Sequence, residues 1–391
     1  MLKILLFLSL LSIILGPALS LPLEIPGLNI YISDILIGLN AFYWLINFST
    51  FFQLIKNDRL VKIFLLFVGI SLVSLIITPL NLTLIEKFIA LLYLLRLLAY
   101  FSVYLTVSSL LKQKVIKKEL ILKSLIFVGT VLSAVGWIQY FLYPDLRNLF
   151  YLGWDPHYKR IFSTFLDPNF FGLVLVLTFI LLYTSSFPIF LPIFIFLTLL
   201  FTYSRSSFVA LFTSVITYSF IKKKYFLILG MTIIITIGAF LLPRPGGEGV
   251  KLERIFSIEK RINSMKEGVK IFLDHPTLGV GFNTLRFAKR EYGYISSDWQ
   301  NNHAAAGVEN SFIFLAATTG ILGFVIYLWF LIEFFLKVSL LGKIVLVAIV
   351  THSIFLNSLF FPPVMIWFWV ICGCHSELVS ESHLDPEINS G

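Results

Sequence analysis

Charge is scarce in this sequence and cysteine is almost absent. Only 13% of the 391 residues are Asp, Glu, Lys or Arg, against roughly 25% for a water-soluble globular chain. So little charge excludes an ordinary soluble fold and leaves lipid as the main solvent. The two cysteines, Cys372 and Cys374, have no second pair with which to build a zinc or disulfide framework, and they read as incidental thiols. Lys and Arg are missing altogether from residues 22–31 and 81–85, a gap that bears on orientation.

What is abundant is apolar surface. Hydrophobic residues make up 58% of the chain, and Phe alone occurs 41 times. A spanning helix needs about 20 mostly apolar residues. Such runs lie near 2–21, 32–53, 61–80, 86–109, 120–142, 168–185, 187–203, 206–221, 224–243, 309–336, 340–358 and 359–374. The pattern predicts an all-α, polytopic transmembrane bundle of about twelve spans. The first run also resembles a signal peptide, with Lys3 ahead of it and Ala18-Leu19-Ser20 as a small-residue site. Its length, and the hydrophobic helix that follows, favour an uncleaved span; either reading leaves the same face outside.

Orientation follows from the basic residues. With the N-terminus in the cytoplasm, alternate loops carry Lys56, Arg59 and Lys62, then Lys112, Lys114, Lys117 and Lys118, then Lys222 to Lys224, then Lys337 and Lys343. Both ends are thus predicted to be cytoplasmic. The net charge of +9 is spread over these loops and does not point to nucleic acid. Two hydrophilic segments fall outside, 143–167 and the long 244–308, where an apolar stripe from Ile255 through Ile258, Ile262, Met265, Val269 and Phe272 predicts an amphipathic helix over the outer mouth. The expected organisation is nine helices over 1–243, an extracytoplasmic loop domain over 244–308, three helices over 309–374, and a disordered cytoplasmic tail over 375–391.

Ionisable groups within or beside spans are costly and therefore candidates for function. Arg96 lies ten residues into the fourth run, with Asp34 or a backbone carbonyl as a structural partner. Arg205, in Thr202-Tyr203-Ser204-Arg205-Ser206-Ser207, sits at a tight outer hinge where it either snorkels to headgroups or meets an anion. Arg160 opens a segment that runs to Asp167-Pro168-Asn169, itself a good helix start. Gly279 and Gly281 permit a tight turn whose amides could approach a phosphate, or which simply ends a helix. Glu309 precedes Asn310-Ser311 at the entry to a late span, where capping competes with catalysis.

Taken in order, these segments resemble the O-antigen ligase and polymerase family of bacterial envelope glycan transferases. The resemblance rests on four patches: Arg160 through Gly172; Tyr203-Ser204-Arg205-Ser206; Arg254 and Arg261 through Asp274-His275-Pro276 to Gly279-Val280-Gly281; and Glu309-Asn310-Ser311-Phe312 with Gly320-Ile321-Leu322-Gly323. Where many ligases of the family have His-Asn, this chain has Glu309-Asn310, and its nearest histidine is His303.

The resemblance implies a metal-independent glycosyltransferase of the bacterial inner membrane with no cofactor. It would move glycan from an undecaprenyl diphosphate carrier to a hydroxyl of another glycan, lipid A core or a protein. An Asp-x-Asp metal clamp is missing from the outer segments, which leaves arginines to grip the diphosphate. Arg160 and Arg205 are expected to lead, with Arg254, Arg261 and Arg286 behind them. Glu309 or His303 is expected as the base, supported by Arg96, Asn169, Gly279, Gly281 and Asn310. A transporter or flippase of a lipid-linked or anionic solute fits the helix count equally well, but the two halves of the chain share no repeat. A non-catalytic scaffold would leave the outer arginines unexplained.

Overall fold

The computed structural model describes residues 1–21, 28–152, 155–183, 187–243, 256–295 and 307–375. Arg254, His303 and the tail beyond 375 lie outside them. The helices are α1 (Leu2–Leu15), α2 (Ile32–Ile46), α3 (Phe48–Asn57), α4 (Arg59–Ile76), α5 (Leu84–Lys112), α6 (Lys118–Leu142), α7 (Pro168–Tyr183) and α8 (Phe190–Leu200). They continue as α9 (Arg205–Lys222), α10 (Phe226–Leu241), α11 (Phe256–Asp274), α12 (Leu285–Glu291), α13 (Ser311–Lys337), α14 (Leu340–Ser353) and α15 (Pro362–His375). The fold is all-α apart from one short antiparallel pair, in which Ser20 faces Tyr31.

Local chemistry sets several starts. Asp58 caps α4 by accepting from Leu60 N, and Thr83 with Glu86 forms a capping box on α5. Four helices, α4, α5, α6 and α13, are long and apolar enough to cross a membrane, and shorter apolar helices (α1, α2, α7, α8, α10, α14, α15) accompany them. The protein is a multi-pass membrane protein. Each apolar run of the sequence except 206–221 contains one of these apolar helices; 206–221 falls in α9, which is not among them, and 32–53 breaks at Asn47 into α2 and α3.

The core forms around α5, which is flanked by α2, α4 and α15; α13 packs on α4, and α14 on α9. Rings fill the centre: Phe64 stacks on Phe101 at 4.4 Å and meets Trp369 edge-on at 4.9 Å. Helix α1 belongs to this core through Leu6, Leu10 and Ile13, all buried.

The loops of one end are bonded together. Thr164 Oγ1 donates to Ile14 O (2.7 Å), Ile161 N to Phe201 O (3.0 Å), Thr78 Oγ1 to Val280 O (2.5 Å) and Asn310 Nδ2 to Ile354 O (2.8 Å). This laced end carries the candidate residues.

Candidate functional site

Beneath the laced end lies a cavity of about 330 Å³ with walls of different character. One wall is basic and aromatic: Tyr31, Tyr93, Arg96, Asn283 and Arg286. Another part of the lining is acidic, with Asp155, Asp167 and Glu309, and Phe165, Phe170, Phe282 and Phe361 are among its apolar residues.

Arg96 projects from α5 and is held from the bundle side. It donates to Asp34 Oδ2 at 2.8 Å and also to Asn29 O, while Tyr100 OH donates to Asp34 Oδ1 at 2.9 Å. Both structural partners expected from the sequence, Asp34 and a backbone carbonyl, are therefore present. The Tyr93 ring lies 4.7 Å from the Arg96 guanidinium carbon and 5.8 Å from that of Arg286. The negative face of one ring thus holds two cations at one wall. Arg286 comes from α12, whose Leu285, Phe287 and Ala288 are buried and whose Arg290 pairs with Glu86 of α5 at 2.5 Å.

The acid wall is assembled from two loops. Asp167 caps α7, its Oδ1 accepting from Asn169 N (2.6 Å) and Phe170 N (3.2 Å). Asp155 arrives on a clip in which Leu146 N donates to His157 O (2.8 Å) and Lys159 N to Pro144 O (2.8 Å). Glu309 makes an ion pair with Arg261 of α11. Burial raises the Glu309 pKa, Asp155 and Asp167 add to the rise, and Arg261 opposes it. Burial also raises Asp167, with the negative charge of Asp155 adding to it and the capping amides and Arg160 opposing.

The other sequence candidates lie around this cavity rather than in its lining. Arg160 is 2% exposed; it donates to Thr202 O (2.8 Å), reaches Asn169 Oδ1 at 3.5 Å, and meets His157 Nδ1 at 3.4 Å. It therefore joins the Asp167 loop to the turn before α9. Arg205 begins α9 behind the N-cap Ser204, within electrostatic range of Arg261. The hydroxyls beside it, Ser206 and Ser207, face His352 Nε2 at 3.1 and 3.4 Å.

The turn with Gly279 and Gly281 docks into a break in α13 at Gly320. Val280 N donates to Ala317 O, and Gly281 N to Thr318 O, both at 3.0 Å. Those amides are occupied by helix carbonyls, so of the two readings of this turn the structure supports the helix-ending one, docked on α13. Asn310 caps α13, its Oδ1 accepting from Phe312 N and Ile313 N at 2.8 and 2.9 Å.

Residues 189–328 match the family model described as O-antigen ligase. This O-antigen ligase match takes in Arg205, Arg261, Arg286, Gly279, Gly281, Glu309 and Asn310, whereas Arg96, Arg160, Asn169 and the Asp155–Asp167 loop lie before it. The cavity is thus built jointly by the matched region and by segments on both sides of it. No curated protein matches the chain in sequence.

Sequence reading missed Tyr93, Asp155 and His157. Asp155, His157 and Asp167 each offer one ligand-type atom, all within 4.8 Å of one another, a grouping that invites a metal. Arg160 Nη1 also stands 3.4 Å from His157 Nδ1, so the group already has a cationic neighbour and no metal is assigned to it. The buried Lys289 was also passed over: its Nζ bonds Gly307 O (2.9 Å), Ser264 Oγ (3.1 Å) and Glu267 (3.0 Å), fixing the segment that carries Glu309.

Proposed function

We propose that the protein is a metal-independent glycosyltransferase that moves or polymerises glycan from an undecaprenyl diphosphate donor onto an acceptor hydroxyl. The observation that carries this reading is the cavity lined by both Arg96 and Arg286 and by the carboxylates Asp155, Asp167 and Glu309, beside and within a region similar to O-antigen ligase. Twelve spans with both ends in the cytoplasm would put the cavity on the outer side of a bacterial inner membrane. There it meets a lipid carrier whose glycan faces out. About 330 Å³ is at the small end of ligand pockets, which run from about 300 to 1,000 Å³. It suits the sugar–diphosphate junction, with the rest of the glycan outside.

Transfer needs two things. The departing diphosphate gains charge, which fixed guanidiniums stabilise without reorganisation. Arg286 and Arg96 are the cations lining the cavity, and Arg205 and Arg261 at its edge supply longer-range positive potential. The attacking hydroxyl must also lose a proton, which a carboxylate of the acidic wall takes; Glu309 is the residue the sequence put forward. Asn169 and Asn310 hold the loops that carry this wall.

Arg286→Ala is expected to lower transfer on the order of 100-fold or more, the scale for losing one transition-state donor, and Arg205→Ala to lower it by less, each with the thermal midpoint unchanged. Transfer would be followed in membrane vesicles. Wild-type rates in both variants would remove the arginines from the mechanism. In a deletion strain, single units left on the carrier would mark a polymerase, and full-length chains left there a ligase.

A further inference from the structure

Three carboxyl groups line one part of the cavity, and among the described residues only one of them, Glu309, makes an ion pair. Glu309 is tied to Arg261. Proton uptake by Glu309 would weaken that pair and leave Arg261 facing the repulsion of Arg205. Asp167 is arranged differently. Its Oδ1 is spent on the first amides of α7, which leaves the second carboxyl oxygen for other chemistry. Asp155 stands beside it, with donor atoms of the two residues and of His157 all within 4.8 Å. Asp155 is exposed and Asp167 half-buried, so the pair runs from the cavity lining to water.

We propose that Asp167 accepts the proton of the attacking hydroxyl and passes it through Asp155 to water. The inference rests on the transferase reading and names the base within it. In the step, the hydroxyl oxygen forms a bond to the anomeric carbon while the bond from that carbon to the diphosphate oxygen breaks. The diphosphate leaves with that electron pair, and the hydroxyl proton moves to the outward oxygen of Asp167.

Two carboxyl groups this close resist ionising together, the pattern by which paired acids divide their roles. Asp167 accordingly has a raised proton affinity, caused by burial and by Asp155. A base with a pKa nearer the working pH is both populated and strong enough to act. The charged groups around it are Asp155, Glu309 and Arg160, with Arg96 and Arg286 also lining the cavity. His157 sits behind, held by Arg160.

The test uses the full-length protein in lipid nanodiscs and in vesicles that contain the native lipid-linked donor. Asn caps a helix as well as Asp does, so Asp167→Asn should keep the fold, the thermal midpoint and binding of undecaprenyl diphosphate. Its transfer rate should fall on the order of 100-fold or more, the usual worth of a general base. Asp155→Asn should slow transfer by removing the relay, and should move the acid limb of the pH–rate profile to lower pH, because removing the neighbouring charge lowers the proton affinity of Asp167. A protonated-carboxyl infrared band that persists in wild type above the ordinary aspartate range should be lost in Asp167→Asn.

Transfer at the wild-type rate in Asp167→Asn, or an acid limb unmoved in Asp155→Asn, would overturn the assignment and leave the transferase reading standing. So would an acid limb that disappears only in Glu309→Gln, which would make Glu309 the base. A wild-type protein that binds undecaprenyl diphosphate but transfers nothing would remove both the reading and this role.

Discussion

Arg96 illustrates what one charge does inside a bundle. Its side chain and that of Asp34 are each only 12% exposed, and the two are joined at 2.8 Å with Tyr100 completing the carboxylate's bonds. Removing one partner of a buried pair strands the other, at a cost of about 3–5 kcal/mol, whereas replacing both with apolar residues is often neutral. Arg96→Leu is therefore expected to destabilise the protein by about that amount, measured by thermal unfolding in detergent. Arg96→Leu with Asp34→Leu should recover most of the loss. If the double variant is no more stable than the single one, the pair is not what holds Arg96. This partner was legible from sequence because an intramembrane charge is marked by its cost. The acid wall was not, because Asp155 and Asp167 lie in a hydrophilic loop where charges read as solvated. Arg160 misled for the same reason: nothing in the loop's composition marks it as 2% exposed.

At the scale of elements, hydropathy located the apolar helices but not how they are broken or which way they face. Helix α13 spans Ser311–Lys337 yet breaks at Gly320, where φ is +64°. The carbonyls released by the break bind the turn at Gly279–Gly281, while Ser74 Oγ of α4 donates to Thr318 O (2.8 Å) and Leu278 O (2.5 Å). That dock places Arg286 a few residues downstream. A Cβ at Gly320 would lie 2.2 Å from Thr277 O, in a conformation that L residues rarely adopt. Gly320→Ala should therefore undo the dock and lower both the thermal midpoint and transfer. Gly69→Ala in α4, where a Cβ meets nothing within 4 Å, should be neutral or raise stability by about 0.5–1 kcal/mol. Equal midpoints for the two variants would mean that the break does not hold the turn. The facing of α11 was equally hidden. Ile262 and Val269 of the expected inward stripe are 45% and 41% exposed, whereas Ile271 is buried and Gly268 lies against Val308 and Ile313. A helix resting on protein on one side and lipid headgroups on the other has two apolar faces, and periodicity alone does not say which is which.

The whole molecule adds a constraint that no single helix carries: every residue of the cavity comes from the same end of the bundle. Asp155, Asp167 and Glu309 lie in segments between helices, Arg286 lies at the start of the short α12, and Arg96 reaches the cavity from within α5. Lys117 lies at the opposite end, in the loop between α5 and α6, while Asn148 lies in the segment after α6 that leads to Asp155. If basic residues mark the cytoplasmic side, a cysteine at 148 will face outward and one at 117 inward. Both positions are exposed, and the native Cys372 and Cys374 are buried, so a charged maleimide should react with the introduced thiol in the folded protein. Asn148→Cys is expected to label in intact cells or right-side-out vesicles, and Lys117→Cys only after the membrane is opened. The reverse pattern would put the cavity in the cytoplasm, where an outward-facing glycan on its carrier cannot reach it, and the transferase reading would fail along with the topology.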